Sequence, residues 1–168
     1  MLIILGGLPG CGKTSLARAL ARRVQAVHLR VDSIEQAMIA AGIPGESIGT
    51  AGYAAAQRLA TENLRLGHIV VADSVNPVQA SRNGWRRAAM EAGAPVIEIE
   101  VICSDAAEQR RRVESRHADI PGHRLPSWQD VLALHFETWA ADLVIDTARQ
   151  SPEAAADAIA ERQPFGFR

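Results

Sequence analysis

The sequence predicts an α/β fold, a five-stranded parallel sheet with helices on both faces. Three observations predict it. Short apolar runs alternate with helical stretches along all 168 residues, the pattern of right-handed strand–helix–strand units. The run Leu2–Leu5 reads as a buried strand and leads straight into a glycine-rich segment and then a helix. No apolar stretch approaches membrane-spanning length, so no membrane partner is expected and the strands are covered within the molecule.

The first strand is placed at 2–5 and the first helix at 13–24. Leu16, Leu20 and Val24 recur there at helical spacing, with Arg18, Arg22 and Arg23 facing out. Between them lies Gly7-Leu8-Pro9-Gly10-Cys11-Gly12-Lys13-Thr14, which fills every fixed position of G-x-x-x-x-G-K-[ST]. Lys13 is the one lysine among 18 basic residues, the rest being Arg. A phosphate loop wants a compact ammonium, whereas a planar guanidinium suits two-pronged contacts. Gly7, Gly10 and Gly12 allow backbone angles that side chains forbid. The N–H groups of Gly10, Cys11, Gly12, Lys13, Thr14 and Ser15 can then converge on an anion at the helix start. Lys13 is expected on the β- and γ-phosphates of a nucleotide and Thr14 on a magnesium ion.

The second strand is placed at 27–31 and its helix at 33–41. Asp32 follows that strand, where open parallel sheets gather ligands. It could accept a proton from a hydroxyl or meet magnesium through water. With Glu35 three residues on, it could also cap the helix, and the two roles can coexist. After a helix at 47–66, a third strand at 68–72 ends at Asp73. An apolar run closing on Asp resembles a magnesium-binding element; a local bond to the turn Ser74–Asn76 is the alternative. Asn76-Pro77 reads as N-cap and first-turn proline of a helix at 77–92. On that helix Val78, Arg82, Trp85 and Ala89 share a face. Arg82 there either reaches a substrate anion or lays its stem over the core.

A fourth strand is expected at 96–102, then a helix at 104–117 with almost no apolar face. So poorly anchored a helix can act as a lid, spanning about 104–126, that closes on phosphates. Arg112 and Arg116, four apart, would stack on one side around an anion; pairing of Arg112 with Glu108 is the plainer reading. Arg110 and Arg111 read as surface. The broken loop 118–126, with His117, His123 and Arg124 around it, could shape an acceptor pocket. Trp128, Val131, Leu132, His135, Phe136 and Trp139 form an apolar stripe on a helix at 127–139, which Ser127 and Asp130 open as a capping box. The fifth strand falls at 143–146, and Ser151-Pro152-Glu153 opens a last helix at 152–162. The tail Gln163–Arg168 is expected to be loose or to dock locally.

Composition fits one domain over residues 1–168. Apolar content of 48% and charged content of 22% are ordinary for a globular chain. A net charge of −1 supplies no field to attract nucleic acid. Cys11 and Cys103 build no disulfide framework, and no charged leader precedes the first strand, so a reduced, cytoplasmic setting is expected. Oligomeric state is left between monomer and homodimer.

With these residues in place, the chain resembles the small P-loop kinases of the AAA-domain kinase-like group. The likeness extends to the kinase part of polynucleotide kinase, chloramphenicol phosphotransferase and zeta toxins, and more distantly to gluconate and adenylylsulfate kinases. It implies a three-layer α/β/α sandwich of the P-loop NTPase type with strand order 2-3-1-4-5. It also implies ATP as phosphate donor and Asp32 as the base; beside it, Mg2+ is expected at Thr14, metal or substrate at Asp73, and neutralising charge from Lys13, Arg112 and Arg116. In polynucleotide kinases an Arg follows the base by three positions; Glu35 stands there in this chain. The leading expectation is therefore phosphate transfer from ATP to a hydroxyl of a small molecule. A polynucleotide 5′-hydroxyl acceptor is the second, kept open by the arginines at 110–116 and 124. A nucleotide-binding switch without acceptor is the third, and it would have no need of a base at Asp32.

Overall fold

β1 (Leu2–Gly6) lies at the centre of the sheet because every one of its residues is buried. Its side chains alternate: Ile3 and Leu5 enter one core, Leu2 and Ile4 the other. The computed structural model describes residues 1–162; the expectation for the tail from Gln163 lies outside them. After β1 come α1 (Lys13–Arg23), β2 (Val27–Arg30), α2 (Val31–Ala40), α3 (Gly45–Ile48), α4 (Ala51–Arg65) and β3 (Val70–Asp73). Then follow α5 (Gln79–Glu91), β4 (Val96–Ile102), α6 (Ala106–Ser115), α7 (Trp128–Ala133), β5 (Leu143–Asp146) and α8 (Pro152–Arg162). The sheet is parallel throughout, in the order β2-β3-β1-β4-β5.

On one face α1 and α8 cover Ile3, Leu5, Val71, Ile97, Ile99 and Val101 with Leu16, Leu20 and Ile159. On the other, α4 and α5 cover Leu2, Ile4, Val70 and Ala72 with Ala56, Ala60, Leu64 and Trp85. Each fully buried Leu or Ile contributes roughly 2 kcal/mol on transfer from water. Together the two layers hold the sheet so that its carboxyl edge and the glycine loop face one side.

Several boundaries differ from the sequence reading, each for a physical reason. The helix expected at 47–66 divides at Gly49, whose φ of +51° ends α3 before α4 begins. Asn76 is no helix cap. It is fully buried with φ +52°, donates Nδ2 to Leu5 O at 2.8 Å and accepts from Trp85 Nε1 at 3.0 Å. It thus ties the end of β3 to β1, and α5 starts three residues later with no side-chain cap. The capping box at Ser127 and Asp130 is present, as is the bond from Ala154 N to Ser151 Oγ that opens α8.

The helix expected at 127–139 ends at Ala133, and the chain runs on without helical structure to Asp142. Glu137 N donates to Pro77 O at 2.8 Å instead of to Ala133 O, so the helical ladder is diverted there, and Arg82 holds the strap that results. Arg82 is fully buried and donates to four carbonyls: Asn76 O, Pro77 O, Glu137 O and Thr138 O, at 2.7–3.3 Å. Its guanidinium also lies over the rings of Phe136 and Trp139. Trp139 is seated deep, donating Nε1 to buried Glu98 at 2.7 Å, while Leu132 and His135 are exposed rather than core. Arg82 therefore neither reaches a substrate anion nor snorkels; it clamps the strap 134–139 to the sheet.

Candidate functional site

The glycine loop joins β1 to α1 in the conformation its sequence requires. Gly7 takes φ +142°, and a Cβ there would sit 2.0 Å from Val101 O. Gly10 takes φ +81°, and a Cβ there would meet Val113 Cγ2 at 2.5 Å and the backbone of α6. Only glycine lets β4 and α6 approach the loop this closely. α1 starts from Gly12 with no side-chain cap and no acidic residue in its first turn. Its positive end is therefore unopposed by any protein carboxylate within that turn.

Lys13 is buried and folds back over the loop, donating Nζ to Leu8 O at 3.1 Å, with Cys11 Sγ at 3.7 Å. It has no carboxylate partner among the described residues. Cys11 is buried, and that burial pushes its thiol pKa up. A cleft of about 520 Å³ opens over the loop. It collects Gly10, Gly12, Lys13, Thr14 and Ser15 from the loop, and Asp32, Asp73, Arg112 and Arg116 from α2, the end of β3 and the end of α6. Of the residues expected at the site, Gly7 and Cys11 lie beneath the cleft rather than on its wall.

Asp32 is not a cap. α2 begins at Val31, two residues earlier than a cap at Asp32 requires, and no side chain caps it. Asp32 sits in the first turn with its carboxylate partly open to the cleft, accepting from Arg30 Nε at 3.3 Å and Nη2 at 3.2 Å. Glu35 turns away and packs against Gly52 of α4. Burial, then the charge of Asp32, raises its pKa.

Asp73 ends β3 and is almost wholly buried. It makes no bond to the turn that follows. It pairs instead with His28 Nε2 at 3.1 Å. Burial opposes its charge, but His28, Lys13 and Thr14 together outweigh that and lower its pKa. A buried carboxylate kept ionised beside a threonine hydroxyl is a hard-oxygen donor pair, suited to Mg2+. The Oγ of neighbouring Ser74 is buried without a hydrogen-bond partner and also lines the cleft.

α6 is better anchored than its composition suggests. Val113 and Gln109 are buried, and Gln109 Nε2 donates to Pro9 O of the loop at 2.9 Å. Arg112 donates to Glu108 at 2.8 Å, to Thr147 Oγ1 at 2.8 Å and to Thr147 O at 3.2 Å. Arg112 and Arg116 do not stack as i and i+4. The helix stops at Ser115, and Arg116 is extended, with φ −72° and ψ 146°. Both still reach the cleft. Arg110 and Arg111 lie on the surface, paired to Glu114 and Glu108. His117 and His123 line the cleft, and Arg124 does not.

Four contributors escaped sequence reasoning. His28 and Arg30 alternate in β2, so both point to the face opposite Val27 and Leu29. Two polar residues at period two in a parallel strand were the available signal. Thr147 follows β5 at the same carboxyl edge. Its Oγ1 donates to Cys11 O at 2.8 Å and holds Arg112, linking loop, sheet and α6. Asp119 carried no signal of its own, since its partners Arg18 and Arg30 lie about a hundred residues away in sequence.

A family profile described as an AAA domain matches residues 2–135. No curated protein matches the chain. Among solved structures, a Chloroflexus aurantiacus protein provisionally assigned as a kinase superposes with a TM-score of 0.75 at 20% identity, over 96% of this chain and 97% of that one. The Mycobacterium tuberculosis APS kinase CysC, in complex with AMPPNP and APS, gives 0.72 at 17% identity over 95% of each chain. A gluconokinase from Sinorhizobium meliloti gives 0.63 at 19% identity, over 99% of this chain and 97% of that one. At these identities the likeness establishes a shared kinase-like P-loop fold.

Proposed function

Since the chain belongs to the AAA domain family and has the P-loop kinase fold, we propose that it transfers the γ-phosphate of ATP to a hydroxyl of a small molecule. One observation carries this reading. Asp32 is released from any capping duty and opens onto the same cleft as Lys13 and Thr14. A nucleotide switch needs no such carboxylate. Neighbours of this fold that act on APS and gluconate support a small acceptor. Glu35, turned into α4, offers nothing to a polynucleotide.

In this reading the loop N–H groups cradle the phosphates. Lys13 exchanges Leu8 O for phosphate oxygens, at small cost because its present partner is a single carbonyl. Thr14 and Asp73 would hold Mg2+, which would neutralise charge on the phosphates. Arg116 and Arg112 face the transferred group from the other wall. Asp32, held by Arg30, orients the acceptor hydroxyl and takes its proton.

The test is labelled ATP screened against sugars, nucleosides, antibiotics and short oligonucleotides, with Asp32→Asn beside the native chain. We expect transfer to a small alcohol, and a loss of roughly 10²- to 10⁴-fold in Asp32→Asn with ATP binding nearly unchanged. Undiminished transfer in that variant would remove Asp32 from the chemistry.

A further inference from the structure

The cleft holds five cationic side chains, Lys13, Arg18, Arg30, Arg112 and Arg116, against three carboxylates, Asp32, Asp73 and Asp119. Asp119 is the unusual member. It belongs to the loop between α6 and α7, yet its carboxylate sits in a fork made by two guanidinium groups from other elements. Arg30 Nη1 donates to Oδ1 at 3.0 Å and to Oδ2 at 2.8 Å, and Arg18 Nη2 donates to Oδ2 as well. Arg30 is only 10% exposed at its side chain, and its other edge holds Asp32. Nearby, Arg116 has a buried Nε with no hydrogen-bond partner.

This arrangement is a built anion site filled by the chain's own carboxylate. A nearly buried guanidinium with one edge unpaired is costly, so a loop that lifts Asp119 away leaves Arg30 in need of another anion. Asp119 is itself 38% exposed and is followed by Pro121-Gly122, with Gly122 at φ +76°. The contact is thus a surface latch on a turn, of the kind that exchanges readily with a competing ligand. The fork also adjoins Asp32 through one shared guanidinium. An anion held there places a hydroxyl of the same molecule within reach of that carboxylate.

We propose that the Arg18–Arg30 fork recognises a negatively charged group, carboxylate, phosphate or sulfate, on the acceptor, and that Asp119 occupies the fork until the acceptor displaces it. Naming the ligand as the acceptor rests on the phosphotransfer reading above. The fork itself does not.

Two experiments separate the claims. The first is ATP-dependent transfer to matched alcohols: glycerol against D-glycerate, adenosine against adenosine 5′-monophosphate, D-glucose against D-glucose 6-phosphate. The expected result is turnover of an anionic member and not of its neutral partner. Arg18→Gln, which leaves the Arg30–Asp32 contact in place, should raise the acceptor KM about 10- to 100-fold with the ATP KM unchanged. Asp119→Asn should lower the acceptor KM. Equal use of a neutral partner, or an acceptor KM indifferent to Arg18→Gln, overturns the proposal. The second is calorimetric titration of sulfate into the full chain saturated with ADP, so that the phosphate loop is already filled. Asp119→Asn should bind sulfate more tightly than the native chain, and adding Arg30→Gln should abolish the gain. No gain in Asp119→Asn refutes the fork whatever the enzyme does. A gain as expected with no alcohol phosphorylated upholds the fork and refutes the kinase reading.

Discussion

Lys13 shows how much one residue's chemistry can be fixed by its surroundings. It is buried at the foot of a helix, ion-paired to no carboxylate among the described residues, and donates to Leu8 O beside a neighbouring sulfur. Lys13→Ala should lower turnover by about 10²- to 10³-fold, the range for removing one preorganised charge donor, with an unchanged circular dichroism spectrum. Lys13→Arg should do no better, because the fork is too wide for a point-charge role; steady-state kinetics on both variants checks this. Arg82 makes the opposite case, a charged residue whose work is internal. Arg82→Ala removes a donor from four carbonyls, among them that of fully buried Asn76, and removes two ring contacts. A loss of about 3 kcal/mol or more is expected in urea unfolding. A change under about 0.5 kcal/mol, the size of an ordinary surface substitution, would deny it the clamp role.

At the scale of elements, the expected lid separates into two parts with different mechanics. α6 is pinned by Gln109 to Pro9, by Val113 against Gly10 and by Arg112 to Thr147. Segment 116–126 has no regular structure, and among the described residues its one ion-paired carboxylate is Asp119. Hydrogen exchange should therefore find α6 protected close to the global level and 116–126 exchanging much faster. Binding of ATP should slow exchange in 116–126 more than in α6. Equal rates in both parts would restore the picture of a single mobile lid at 104–126. The strap 134–142 is the other element with a tertiary cause. Its apolar residues carry a helical spacing, yet Arg82 and Glu98 take up its backbone and indole partners.

Across the whole molecule, the carboxylates set the acid limit of stability. Burial opposes the charge of Asp119, but Arg30 and then Arg18 hold its carboxyl down at about 2. Arg111 and Arg112 hold Glu108 at about 2, and Asp73 is also lowered. A carboxyl whose folded pKa is depressed contributes stability that is present above its unfolded pKa, about 4. That contribution is lost as pH falls through the folded value. Stability should thus decline between about pH 4 and pH 2, and Asp119→Asn should make that decline shallower. Thermal melts of both chains across that range test the sign. A decline equally steep in Asp119→Asn would mean that the latch is not formed in solution. Glu35 runs the other way, since its raised pKa favours the fold at low pH and loses that contribution as pH rises.

The chain alone determined the glycine loop, its lysine, the five strands and the edge on which ligand groups gather. Those features are local: a glycine pattern, a period of two or of 3.6, and an apolar run that must be buried. It also placed Asp32 and Asp73 by the rule that strand ends meet ligands, without deciding what each carboxylate touches. Only the tertiary structure decided that. It withdrew Asp32 from capping by starting α2 two residues early, gave Asp73 to His28, and turned Arg82 inward to hold 134–139. It also drew Arg18, Arg30 and Asp119 into one fork. The physical reason is common to all four. A polar side chain's partner is chosen by whichever group burial brings within about 3 Å, and for Asp119 that group lies at the far end of the chain's path.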